Sequence, residues 1–170
     1  MKRLLAVVVG VACLALVARA AEMKAPAIHD PGFDKLRSLT GDWQGTDANG
    51  KPVHVSYRPT AGGTCMMETL VAHEGEEMIT MYFMDAKRLT MTHYCTMGNQ
   101  PRMRSGPVAA DAQAITFDFV DAANMASKDD AHMHRLAFRF QDADHFSQEW
   151  LMKGAGKDMP VTFNFTRTKA

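Results

Sequence analysis

From Gly41 onward, apolar side chains recur at every second position, and turn-forming residues interrupt the pattern about every ten residues. A period of two places alternate side chains on opposite faces of an extended strand. Val53, Val55 and Tyr57 alternate in this way, as do Ile115, Phe117 and Phe119, and Leu136, Phe138 and Phe140. No amphipathic helical pattern longer than two turns follows Gly41, so a helical bundle and a parallel α/β sheet are both excluded. The helical spacing of Phe33, Leu36 and Leu39 predicts one short helix just before this region.

The turn signals divide the chain into strands over 42–46, 53–57, 64–73, 78–84, 89–96, 115–120, 132–140, 146–152 and 161–166, with a further short strand around Met103. Asn49-Gly50 and Gly154-Ala155-Gly156 are the most distinct hairpin turns. About ten strands in hairpin order form an antiparallel meander, and a twisted sheet of that length closes on itself to remove its edges. The predicted fold is an all-β, antiparallel up-and-down barrel with a short N-terminal helix; a β-sandwich is the alternative. The chain has 170 residues, of which 46% are hydrophobic and 22% charged, enough to bury the core of one domain. Nineteen basic against nineteen acidic residues leave no cationic excess for phosphates, which argues against a nucleic-acid partner.

Lys2 and Arg3, an uncharged run from Leu4 to Ala18, and Ala18-Arg19-Ala20 read as a secretory signal peptide over residues 1–20. The uncharged run is shorter than the roughly 20 residues needed to span a bilayer, so no membrane span is expected after cleavage. Residues 21–30 then form a disordered lead-in and 31–170 a single barrel domain, periplasmic or secreted. Losing Lys2, Arg3 and Arg19 leaves 16 basic against 19 acidic residues, and losing Cys13 leaves Cys65 and Cys95. In a meander these two lie on strands separated by a third, roughly 9–10 Å apart at Cα, too far for a disulfide. Two free thiols are expected.

Strand parity selects the candidate site. Counting back by twos from Leu136, Phe138 and Phe140 turns His134 and His132 inward, provided the strand is regular that far. Pairing Phe140 with Phe146 across the next turn brings Gln148, Trp150 and Met152 inward, and Leu89 and Met91 carry His93 and Cys95 with them. Thr90, Thr92 and Tyr94 point outward. Strand 64–73 is mixed: Glu68 shares a face with Met66 and Leu70, and two readings stand, a solvated outward carboxylate, which is preferred, or an inward one that partners a histidine or an arginine. Asn99 and Arg102, on the loop after Cys95, supply an amide and a guanidinium at the barrel rim.

The segment Leu39-Thr40-Gly41-Asp42-Trp43-Gln44-Gly45 resembles the opening of lipocalin-like and nitrobindin-like barrels, in which a Gly-x-Trp on the first strand follows a short helix and the Trp plugs one end. Thr92-His93-Tyr94-Cys95, Gly98-Asn99-Gln100-Pro101-Arg102-Met103 and His132-Met133-His134-Arg135-Leu136 resemble a group of small, secreted, uncharacterised bacterial barrels (a domain of unknown function). That likeness implies a barrel and a small-molecule cavity but no established activity. Nitrobindin-like proteins bind haem through a histidine, which no single position here matches.

Three functions follow. The first is a non-enzymatic barrel that binds a small, apolar ligand without a cofactor. Phe117, Phe119, Phe138, Phe140, Phe163, Phe165 and Met91 would line it, and His93, Cys95, Asn99, Arg102, His132, His134, Gln148 and Trp150 would contact the ligand. The second is a Cu, Zn or haem site built from His93, Cys95, His132 and His134. The third is a thiol enzyme in which a neighbouring imidazole activates Cys95.

Overall fold

The computed structural model describes residues 28–72, 75–154 and 156–169; the expected signal peptide, most of the lead-in and His73-Glu74 lie outside them. Ten strands form a closed antiparallel barrel in which sequential neighbours pair and the first strand pairs with the last. They are β1 (Gly41–Asp47), β2 (Pro52–Thr60), β3 (Cys65–Ala72), β4 (Glu76–Asp85), β5 (Arg88–Tyr94), β6 (Gln100–Ser105), β7 (Ala114–Ala123), β8 (His132–Phe140), β9 (His145–Gly154) and β10 (Lys157–Arg167). The one described α-helix, α1 (Pro31–Arg37), precedes β1. The barrel prediction is met, and closure excludes the sandwich.

The helix starts where its sequence dictates. The Asp30 carboxylate accepts hydrogen bonds from the Gly32 and Phe33 amides, and a proline stands in the first turn, where no partner for its nitrogen is needed. Phe33 and Leu36 are fully buried on the inward face. Just beyond, Trp43 donates its indole N–H to the Leu39 carbonyl at 2.8 Å and meets Phe146 edge-on at 4.7 Å. The Arg167 guanidinium lies 4.1 Å above the Trp43 ring and donates to the Ser38 and Thr40 carbonyls. Gly45 lets β10 approach: a Cβ there would run into the Asn164 carbonyl. These contacts close the helical end.

Because the strands alternate in direction, the turns after β1, β3, β5, β7 and β9 gather at the opposite, distal end. Between the two ends the interior is packed with Tyr57, Tyr82, Phe117, Phe138, Phe146, Met66, Met91 and Met103, all fully buried or nearly so. Phe140, Phe163 and Phe165 are buried as the alternation predicts. Thr90 lies on the outward side of β5 as predicted, yet it is buried between its cross-strand neighbours Phe83 and Arg104. Cys65 and Cys95 are free. Cys65 begins β3 at the helical end and Cys95 follows β5 at the distal end, so the barrel's length separates them as well as its curvature.

Candidate functional site

Two groups of polar side chains stand out, one inside the barrel and one in its wall at the distal end. The inner group is a lateral row. Tyr57 lies opposite Glu68, Glu68 opposite Thr80, and Thr80 opposite His93 across four consecutive strands. Directly opposed residues share a face, and this row faces the core. Glu68 is therefore buried rather than solvated, which corrects the sequence reading. Its Oε2 accepts from the hydroxyls of Tyr57 (2.7 Å) and Tyr82 (2.9 Å) and from Gln148 Nε2 (2.7 Å). Its Oε1 accepts from the Thr80 hydroxyl at 3.2 Å.

Four donors on one buried carboxylate make this a largely satisfied network. Burial nevertheless raises the Glu68 pKa, with the four hydrogen bonds opposing the shift. Burial, followed by the Glu68 charge, raises both tyrosines well above their ordinary value. Gln148 also accepts from the Trp150 indole at 3.0 Å, and the Trp150 ring lies 4.8 Å from His93.

The row fixes the His93 tautomer. The single Thr80 hydroxyl proton goes to Glu68, so the Thr80 oxygen accepts from His93 Nδ1–H at 3.0 Å. His93 Nε2 then carries a lone pair, buried and without a partner. Burial lowers the His93 pKa to about 4, so the ring is neutral near pH 7.

The outer group arises from two irregularities. The β8–β9 register shifts between Met133 and Arg135, leaving His134 as the extra residue of a bulge. Met133 then faces Met152, in phase with Trp150, and packs against the core, while His132 faces Lys153. The expectation that His132 and His134 line the interior in phase with Leu136 fails at this bulge, because one extra residue reverses the parity. On β7 the register with β6 shifts after Phe119, and the β7–β8 ladder ends at Asp118 and Arg135. Beyond that point the two strands separate.

Phe119, His132 and His134 sit at this separation. Phe119, opposite the buried Met103, is only half-buried and stacks on His134 at 4.9 Å and 21°, with His132 4.6 Å away. His132 Nδ1 lies 2.7 Å from the Asp130 carbonyl, and its Nε2 lies 3.1 Å from His134 Nδ1. These rings form part of the wall of a pocket of about 610 Å³, with Lys128, Lys153, Lys157, Asp129, Asp130 and Asp158 around them. Burial, then the neighbouring Lys153 and His132, lowers the His134 pKa.

The remaining predicted residues are dispersed. Cys95 is buried at the start of the β5–β6 loop, and its thiol bonds to neither imidazole of the His132–His134 pair. Asn99 ties that loop to the β7–β8 loop by donating to the Ala131 carbonyl at 2.8 Å. Arg102 lies on the outer face in an ion pair with Asp121, away from the pocket. Among the described residues no three His, Cys, Asp or Glu side chains converge on one metal position, so the four candidate ligands form no single cluster. Sequence reasoning missed Glu68, Tyr57, Thr80 and Tyr82 as a unit. The signal was hairpin register, which sets Tyr57, Glu68, Thr80 and His93 side by side once turn lengths are counted.

No protein-family model matches the sequence, and no curated protein is significantly similar to it. Among solved structures, a DUF3598-family protein of unknown function from Nostoc punctiforme is similar in fold, with a TM-score of 0.53 and 10% identity. The match covers 85% of this chain and 51% of that protein, so this chain spans about half of its length. At that identity the likeness concerns the barrel alone.

Proposed function

We propose that the protein is a secreted or periplasmic binding barrel whose ligand enters at the distal end, in the pocket between β7 and β8. One observation carries this reading. The β7–β8 ladder stops at Asp118 and Arg135, and a bulge at His134 turns two imidazoles out of the interior row and beside Phe119. Bulges re-aim side chains, and they cost ladder hydrogen bonds that a purely structural barrel would keep. The packed interior beneath supplies a rigid frame for the pocket rather than the lined cavity that the sequence predicts. With three lysines and three aspartates around the aromatic shelf, the pocket suits a small polar ligand better than an apolar one.

Native mass spectrometry of the full chain, purified from the host that exports it, tests this. The expected result is a co-purifying mass that is lost in Phe119→Ala and kept in Arg102→Ala. A protein that carries nothing, and whose β7–β8 amide resonances respond to no member of a polar fragment library, would refute it.

A further inference from the structure

We propose that His132 and His134 chelate a late first-row divalent metal ion, Cu(II) ahead of Zn(II), with their facing nitrogens. The inference rests on the distal pocket as the binding site and names the chemistry of its ligand. Its basis is the way the two rings are held. His132 Nδ1 is 2.7 Å from a carbonyl oxygen, which can only accept, so that nitrogen carries the proton and Nε2 carries a lone pair. A backbone carbonyl holding the far N–H is the arrangement that orients metal-binding histidines and raises their basicity. The lone pair of His132 Nε2 then faces His134 Nδ1 at 3.1 Å.

That spacing allows two occupants. One is the proton of an imidazole–imidazole hydrogen bond. The other is a metal ion: bonds of about 2.0–2.1 Å place two nitrogens about 2.9 Å apart at a right angle and about 3.3 Å apart at the tetrahedral angle. The observed 3.1 Å lies between these values, so the nitrogens need little translation; each ring turns until its lone pair points about 35–45° off the line between them, where the metal sits. The proton balance is neutral. Metal binding moves the His134 proton from Nδ1 to Nε2, and His132 keeps its own.

Phe119, stacked on His134, limits rotation of that ring and holds the pair together. The three lysines of the pocket are matched by three aspartates, so no net charge opposes a cation. Two imidazoles fill two positions and leave the rest to water or to a second ligand, which is an open site rather than a structural one. Imidazole nitrogens suit copper and zinc, and divalent copper binds such donors most tightly. His93 and Cys95 take no part, because neither lines this pocket: His93 lies against Trp150 in the interior, and Cys95 bonds to neither ring of the pair.

The test uses the full chain without a histidine tag. Zn(II) is titrated calorimetrically into the wild type, and Cu(II) into a Cys65→Ser, Cys95→Ser variant whose paramagnetic resonance spectrum is recorded. One equivalent bound, nitrogen hyperfine structure from two imidazoles, and affinity at least about tenfold weaker in both His132→Ala and His134→Ala are expected. Absence of stoichiometric binding overturns the proposal. So does binding that survives both alanine variants, which places the metal elsewhere. Circular dichroism of each variant confirms that the barrel is intact, and His134→Gln, which keeps a polar side chain, should lose the metal as His134→Ala does. If metal fails to bind while polar fragments still perturb the β7–β8 amides, the chelate is wrong and the pocket stands; if neither binds, both readings fall.

Discussion

The two ends of the barrel solve opposite problems with the same kind of strand. At the helical end the elements converge on closure: α1 drops Phe33 and Leu36 onto the core, Trp43 fills the space below, and Arg167 covers its ring while bonding the Ser38, Thr40 and Ala143 carbonyls. At the distal end β7 and β8 part company, a bulge breaks the register, and imidazoles, lysines and aspartates take the place of packed rings. The comparison teaches that the stability of this fold resides in one end and its chemical variety in the other. The buried Glu68 row separates them.

The most forceful way to break that comparison is to remove the plug. Trp43→Ala should cost about 3–5 kcal/mol, the usual loss for a fully buried aromatic, with the cation–π contact adding to it. Phe119→Ala removes a half-buried ring at the strand separation and should cost only about 1–2 kcal/mol. Urea unfolding of both variants checks this. Equal losses would mean that the distal end carries as much of the fold as the helical end.

The second test uses protons. His93 titrates near pH 4 when folded and near 6.5 in an unfolded chain. Between those values the unfolded state binds more protons, so this residue makes stability fall as pH drops from about 6.5 to 4, by about 3 kcal/mol in all. Glu68 acts in the opposite sense. Its folded pKa is raised by burial, so its contribution favours the folded state at acid pH and declines as pH climbs above the ordinary carboxylate value. His93→Phe should remove the acid-side slope and leave the Glu68 slope exposed. If the wild type and this variant run parallel from pH 4 to 6.5, the buried, neutral imidazole is refuted.

Next in size is the network itself. Tyr82→Phe takes one donor from the Glu68 carboxylate and leaves the remaining three in place. Hydrogen bonds to a charged group are worth about 1.5–3 kcal/mol, and the loss should sit near the lower figure because the other donors persist. It should also push the Glu68 pKa further up, which would show as a displaced pH–stability curve. An unchanged curve would detach Tyr82 from Glu68.

The distinction between the ends was legible in part. The short helix and the alternating phenylalanines follow from apolar spacing, because one face of each strand is uniformly apolar there, whereas Trp43 as the end plug comes from the resemblance of the Gly-x-Trp opening. Glu68 was not legible, because β3 carries apolar residues on both faces and parity had no clear face to select. Its partners lie on three other strands, and only the pairing register brings them together. Parity groups His132 and His134 with His93 and Cys95 as one interior set, and the structure instead brings the two imidazoles to each other beside Phe119. A bulge leaves no mark in a two-residue alternation until the partner strand is known, and here that mark is Met133, which takes the core position meant for a histidine.

The smallest effect is the sharpest control. Arg102 was predicted to join the site, yet it lies on the outer face of β6, paired with Asp121, with both side chains about half exposed. Exposed ion pairs contribute little, since solvent screens the attraction and the long side chain gives up its freedom to hold it. Arg102→Ala should therefore leave the thermal midpoint unchanged within error and the Cu(II) isotherm superimposable on that of its parent. A loss of metal affinity comparable to that of His132→Ala would move the binding surface from the β7–β8 separation to the outer face of β6. The distal end would then be one continuous recognition surface instead of a single breach in an otherwise regular wall.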